Sequence, residues 1–359
     1  MRRWIVWGLL VAFVWFVVWR FTQIEEMSRI IVRGRWEWIL IAAALQCAFY
    51  VFFTGIFHSA FNVVGVRSRW LPLIPVTLAV VFVGTVAPGA GVSGLAVFVD
   101  DAKQRGQSAA RAAAGTLLGQ TADFVGFLPI LIVGMSFLRF EHHLAVYQVV
   151  AAILMVALLG GLTVALTLGL WRPAWVHSLI RVPQRVANWA SRVFRRPELF
   201  SDEWVAHTAE EFRLAAVSLS RRPVGLTRTV ACAFLGHSVS IASLYCVFLA
   251  FREPVGFVTL VAGYSMGILF WIVSITPQGV GVVEAVMALV FNSFGVPIEG
   301  ATVIAVAFRG LAFWIPMAIG AVTARRIAQT APLVAAVAAP VTTLPQPLSP
   351  QSGRGEQED

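Results

Sequence analysis

The sequence predicts an all-α, polytopic membrane helix bundle of about eight spans with two broken, re-entrant-like helices, and three observations carry that reading. The first is composition. The 359 residues are 58% hydrophobic and only 13% charged, against about 25% charged in soluble domains, and the mean hydropathy is +0.80. The second is run length. Apolar stretches of about the 20 residues that cross a bilayer recur at roughly 4–19, 36–57, 71–99, 112–138, 144–170, 226–251, 255–275 and 300–323. The third is a Pro/Gly interruption written twice with the same internal spacing.

The first copy of that interruption is Ala87-Pro88-Gly89-Ala90-Gly91 and the second is Thr276-Pro277-Gln278-Gly279-Val280-Gly281. In each copy an apolar stretch follows, then a glycine (Gly106, Gly295) 18 positions after the proline, then an alanine (Ala112, Ala301). Proline and glycine strip backbone groups of their helical partners, and lipid offers none in return. Such breaks persist only inside protein or beside a wet cavity. Paired breaks at corresponding positions are the best sequence pointer to a transporter's binding site.

The other elements follow in chain order. Residues 4–19 are short for a span, with Trp4 and Trp19 at the ends as interfacial anchors. They lack a small-x-small cleavage site and Arg20 follows directly, so they read as an uncleaved span. Residues 282–294 are apolar but too short to cross, and fit a half-helix after the Pro277 break. Between 171 and 225 the pattern changes. Trp175, Leu179, Val182, Val186, Trp189 and Val193 fall on one helical face, with Arg181, Arg185, Arg192, Arg195 and Arg196 beside it. That is a basic amphipathic helix lying in the membrane interface, or one arm of a cytosolic hairpin that packs on itself. Pro197 ends it. A second helix starts near Ser201, with Asp202 and Glu203 in its first turn. Residues 1–330 thus form one membrane domain, and 331–359, rich in Pro, Ala, Ser and Gln, form a disordered tail.

The net charge of +9 comes from 26 Arg and one Lys, Lys103, against 18 acidic residues. On a membrane protein such an excess faces anionic headgroups. The planar guanidinium fork suits phosphate, although a GC-rich genome writes the same Arg-rich, Lys-poor usage. No nucleic-acid partner is expected. The segments 20–35, 100–111 and 171–228 carry 4, 3 and 10 basic residues, and the loops between them 2, 1 and 1. The rich segments are therefore expected in the cytoplasm, with the N-terminus outside, although Arg2 and Arg3 argue the other way. On this count both breaks start from the same side. Cys47, Cys232 and Cys246 form no pairing or metal pattern. No metal or cofactor is expected.

An ionisable group at mid-membrane costs about 2.5–3.5 kcal/mol on insertion scales, so it needs a partner or water. Three such groups stand out: Asp123, Glu284 and Arg309. A half-helix followed by an antiparallel span can bring Glu284 and Arg309 together. The two then either hold an anionic headgroup or lock the broken helix as an ion pair. Gln120 lies one turn before Asp123, and the two are expected to serve the broken backbone near Pro88. His237, Ser238 and Gln46 read as packing residues. The N–H groups after Gly91 and Gly281, at half-helix N-termini, favour a phosphate. No HExxH, GxSxG or P-loop occurs, so catalysis is not expected.

At these positions the chain resembles the lysylphosphatidylglycerol synthase transmembrane-region family, the flippase-like integral membrane proteins. Thr276 to Ala285 resembles the family's P-G-G-x-G-x-x-E-A element, and Arg309 to Pro316 its R-x-x-x-F-W-x-P element. Val86 to Gly94, with Gly106 and Asp123 beyond, is similar to an upstream element. The resemblance implies a flippase-like domain of about eight helices, with Pro277, Gly279, Gly281, Glu284 and Arg309 in a broken-helix site. Pro88, Gly89 and Gly91 form the matching first break. Gly84-Thr85 and Gly94-Leu95-Ala96 depart from the relatives' Asn and Arg. Full-length synthases add a soluble aminoacyl-transferase domain that this sequence does not contain. The expected function is binding or translocation of lipids or polyprenyl-linked headgroups, anionic or phosphate-containing, between leaflets of a bacterial or archaeal inner membrane. The alternatives are a lipid-modifying transferase working with a separate soluble partner and a non-transporting scaffold.

Overall fold

Long stretches without charge leave the backbone to satisfy its own hydrogen bonds, and in lipid a helix is the local way to do so. In the computed structural model the described residues are 34–86, 92–140, 145–171, 222–274 and 276–328. The 4–19 run, the first break at Pro88, Gly89 and Gly91, the segment holding Trp175, Arg181, Arg185, Trp189 and Arg192, and the 331–359 tail lie outside them. The described helices are α1 (Trp36–Val63), α2 (Trp70–Val86), α3 (Val92–Gln104), α4 (Ala109–Phe140), α5 (Val146–Trp171), α6 (Pro223–Phe251), α7 (Phe257–Val273), α8 (Val282–Ser293), α9 (Ile298–Arg309) and α10 (Ile315–Ala328). A tight turn over Pro277–Gly279 separates α7 from α8, and a π-helical turn over Gly310–Trp314 joins α9 to α10.

Among the described residues five stretches are long and apolar enough to cross: α1, α4, the first part of α5, α6, and α9 continued into α10. The α2 and α7 helices are different. Each has 17 residues, about 25 Å at 1.5 Å per residue, short of a hydrocarbon core of about 30 Å. Each stops at one of the two breaks. The apolar run 71–99 is therefore not one span but α2 and the start of α3.

The elements fall into two copies of one pattern, α1–α4 and α6–α10. The turn after α3 has Gly106 at φ +71°, and the turn after α8 has Gly295 at φ +90°, a conformation that glycine adopts without steric cost. Around the first, Gly106 N–H donates to the Lys103 carbonyl and Gln107 N–H to Ala102 (both 3.0 Å). Around the second, Gly295 N–H donates to Asn292 (2.9 Å) and Val296 N–H to Phe291 (3.1 Å). Both are Schellman-type helix ends, in the register that relates Pro88 to Pro277.

The copies are inverted with respect to each other. α1 and α6 pack along their whole lengths and run antiparallel. At one end Arg35 N–H donates to the Ala250 carbonyl (2.8 Å). In the middle Ser243 Oγ donates to the Ala42 carbonyl (2.9 Å), and Gln46 Nε2 to Ser240 Oγ (3.2 Å). At the other end Arg222 Nη1 donates to the Asn62 carbonyl. Equivalent helices of opposite direction place the pseudo-twofold axis in the membrane plane, the arrangement of many secondary transporters.

Each broken helix is a re-entrant hairpin. Arg67 N–H donates to Gln107 Oε1 (3.3 Å), so the α3–α4 turn sits beside the α1–α2 loop and the α2–α3 hairpin enters and leaves on one face. On the opposite face a Cβ added at Gly300 would lie 2.8 Å from Glu253 Oε1, so the start of α9 sits beside the α6–α7 loop and the α7–α8 hairpin turns back there. This corrects the orientation expected from charge counting. The two breaks enter from opposite faces, and Arg35 and Arg222 lie on opposite faces too. Charge counting failed because it took each apolar run as a full crossing, whereas a hairpin that turns back does not change sides.

Packing between copies relies on small residues, as it must where lipid gives no hydrophobic drive. A Cβ on Gly134 of α4 would fall 2.0 Å from Ser265 Oγ on α7, and one on Gly320 of α10 would fall 2.2 Å from the Leu78 carbonyl on α2. These crossings join equivalent helix pairs, α4 with α7 and α10 with α2, each linking one half to the other. Helix α5 stands at the edge and turns Val146, Ile153 and Val156 outward.

Candidate functional site

The second break shows how the chain makes a stable interruption at membrane depth. Pro277 brings no N–H. Gln278 follows at φ +53°, a left-handed conformation unfavourable for a residue with a Cβ, then Gly279 at +68° and Gly281 at +83°. The element that this segment resembles has glycine at the position of Gln278, a residue that takes such a φ without steric cost. The side chain compensates, since Trp271 Nε1 donates to Gln278 Oε1 at 2.6 Å.

Arg309 then ties the break to the last span. Its Nε donates to Glu284 Oε1 (3.1 Å) and its Nη2 to the Gln278 carbonyl (2.9 Å). The other Glu284 oxygen accepts from Gly281 N–H (2.7 Å), the carboxylate half of a capping box at the start of α8. The Arg309 guanidinium lies 4.5 Å from the centre of the Phe313 ring, within cation–π range. The expected Glu284–Arg309 pairing is therefore present, and both side chains are mostly shielded, at 15% and 9% exposure. At the start of α8 the Gly281 N–H is thus held by the chain's own Glu284.

The π turn begins right after Arg309. Pro316 has no N–H for the Ala312 carbonyl four residues before it, and the Tyr50 hydroxyl of α1 donates to that carbonyl at 2.9 Å. On the other side of the site stands Asp123 of α4, 5% exposed. Its Oδ1 lies 3.4 Å from His237 Nε2 of α6, an electrostatic contact without hydrogen-bond geometry. His237 Nδ1 shares a 2.8 Å hydrogen bond with the Tyr264 hydroxyl of α7.

These groups surround one cavity of about 110 Å³. Asp123, His237, Ser240, Gln46, Gln278 and Arg309 are its polar lining, and Phe49, Tyr50, Phe53, Trp271, Phe308 and Phe313 its aromatic wall. Both halves contribute. Among the described residues two buried side-chain polar atoms have no hydrogen-bond partner, Gln46 Oε1 and His237 Nε2, and both residues line this cavity. A buried polar atom without a partner costs about 1–3 kcal/mol, and both of these atoms belong to residues at the polar end of the cavity.

The structure thus brings Arg309 and Asp123 to one cavity, with Glu284 just behind Arg309. Gln120 is half-buried and outside the lining, and Ser238 bonds the Phe234 carbonyl of its own helix. Residues Pro277, Gly279 and Gly281 form the break as expected. The sequence reading undervalued His237, Gln46 and Gln278. His237 and Gln46 gave no local signal, since their partners come from other helices. The signal for Gln278 was present: a bulky residue stood where the family element has glycine.

Inverted halves, paired re-entrant hairpins and a polar cavity between them define a multi-pass integral membrane protein, a helical bundle. The family model for the lysylphosphatidylglycerol synthase TM region matches residues 4–320, and the chain belongs to that family. That makes it an integral membrane protein linked to lipid handling. No curated protein matches it by sequence.

Proposed function

We propose that this protein translocates lipids or polyprenyl-linked headgroups between the leaflets of a bacterial or archaeal inner membrane, as a transporter and not an enzyme. The observation that carries the reading is the cavity between two inverted halves, with the Arg309 guanidinium at one broken helix. Glu284 and Gln278 occupy two of the five N–H donors of Arg309, and the others serve an anionic or phosphate-containing headgroup. The aromatic wall takes the apolar part. The face with Arg67, Arg105 and Arg222 is the cytoplasmic one on charge grounds.

The bonds of Arg309 within the protein favour a second role for the pair, as the lock that holds the break, and a lock is equally compatible with a scaffold that transports nothing. Two measurements separate these readings. Native mass spectrometry of the purified protein should show a co-purified phosphate-bearing lipid that Arg309→Gln releases. Proteoliposomes carrying a headgroup-labelled phospholipid should show faster loss of the label's inner-leaflet protection than empty liposomes. Lipid-free protein with no acceleration would leave the scaffold.

A further inference from the structure

The lock leaves one charge in the cavity unaccounted for. Arg309 and Glu284 cancel, and Asp123 remains. The titratable or charged groups lining the cavity with it are Tyr50 from α1, His237 from α6, Tyr264 from α7 and Arg309 at the end of α9, whose partner Glu284 comes from α8. Among the described residues only His237 lies within ion-pair distance of the carboxylate. A neutral imidazole leaves the couple at −1 in a low-dielectric setting, which is costly. One added proton brings it to zero.

The hydrogen bonds around the couple form a chain that a proton can reverse. Gln46 Nε2 donates to Ser240 Oγ, Ser240 lines the cavity beside Tyr264, and Tyr264 meets His237 Nδ1. With Nε2 protonated and facing Asp123, Tyr264 donates to Nδ1. A proton arriving from water forms an N–H bond at Nδ1 and yields imidazolium beside carboxylate. Tyr264 must then turn from donor to acceptor. The unpartnered Gln46 Oε1 lies at the far end of this chain, where an amide can turn in response.

We infer that Asp123 and His237 form a one-proton site within the cavity, and that filling it favours an anionic headgroup there. The second clause rests on the proposed lipid function. With the proton, the couple is neutral and a phosphate meets the Arg309 donors without an opposing net charge. Without it, Asp123 repels the phosphate. Linkage is reciprocal, so the headgroup must also raise the couple's affinity for the proton.

The test uses the full chain in nanodiscs with dioctanoylphosphatidylglycerol as probe. Affinity should fall roughly tenfold per pH unit above the couple's titration, the slope of one linked proton. In weakly buffered solution probe binding should take up one proton, and Asp123→Asn should abolish both the slope and the uptake. Binding with no uptake at any pH overturns the linkage, and uptake that persists in both Asp123→Asn and His237→Gln overturns the assignment. If the probe does not bind at all, the lipid reading fails at this site, and nitrogen NMR of the histidines decides the proton site alone. There the protonation pattern of the two His237 ring nitrogens should differ between Asp123→Asn and the parent under one set of conditions, and identical spectra overturn the couple.

Discussion

The two halves use one backbone device and put different chemistry on it. In the register that relates Pro88 to Pro277, Arg309 falls on Gln120, Glu284 on Leu95 and Asp123 on Ala312. Tyr50 on α1 and His237 on α6 also differ in role: Tyr50 reaches the Ala312 carbonyl and His237 reaches Asp123. The guanidinium lock thus exists in the second half alone, and the carboxylate–imidazole couple is the first half's α4 meeting the second half's α6. The Schellman turns, the small-residue crossings and the hairpin lengths are shared. Backbone architecture can repeat because it depends on glycine, proline and length. A binding site has to be asymmetric to hold one polar group in one orientation, and here the halves differ in side chains at equivalent positions and in the π turn after Arg309, where α4 runs on as an α-helix.

Accessibility gives the largest expected effect. With Cys47, Cys232 and Cys246 replaced, Arg67→Cys and Glu253→Cys should react with a membrane-impermeant maleimide from opposite faces, an all-or-none difference in oriented vesicles. Labelling of both from one face would break the inverted arrangement.

Next comes the lock. Removing one partner of a buried ion pair costs about 3–5 kcal/mol, so Arg309→Gln and Glu284→Gln should each lower the melting temperature in detergent sharply. The double change should cost clearly less than the two losses added. Strict additivity would mean that the pair does not act as a unit. Gln120→Leu, at the equivalent position of the first half, should change stability little.

The shared crossings should respond alike. Gly134→Val and Gly320→Val insert bulk where a Cβ already has no room, and each should cost about 1–3 kcal/mol, read as equal shifts in melting temperature. Gly160→Ala, on α5 with open space around it, should be neutral or gain up to about 1 kcal/mol from helix propensity. A large loss at Gly134 alone would mean that the crossings are not equivalent.

The smallest effect is expected at Gln278. Glycine there relieves the left-handed backbone by about 1–2 kcal/mol and forfeits the Trp271 hydrogen bond, worth about 0.5–1.5 kcal/mol. Gln278→Gly should therefore fall within about 1 kcal/mol of the parent. A marked loss would show that the Trp271 contact holds the break.

Much of the site was legible in sequence because it is local. Pro277, Gly279 and Gly281 announce a break through their own torsional preferences. Glu284 and Arg309 are joined by a short half-helix, one glycine turn and an antiparallel span, so their meeting follows from helix geometry. His237 could not be read the same way. Its partners Asp123 and Tyr264 stand on two other helices, and a histidine in an apolar helix looks the same with a partner or without one.

The sequence by itself determined the helices, the places where they break and the turns that follow, since each depends on residues within a turn or two of the feature. It also held the charge pair, through spacing. The tertiary structure alone decided direction and meeting. Whether an apolar run crosses or turns back depends on what covers its broken end, and that cover comes from the other half. The same packing chose which side chains face one another across the pseudo-twofold axis, and so it made a cavity from residues that are far apart along the chain.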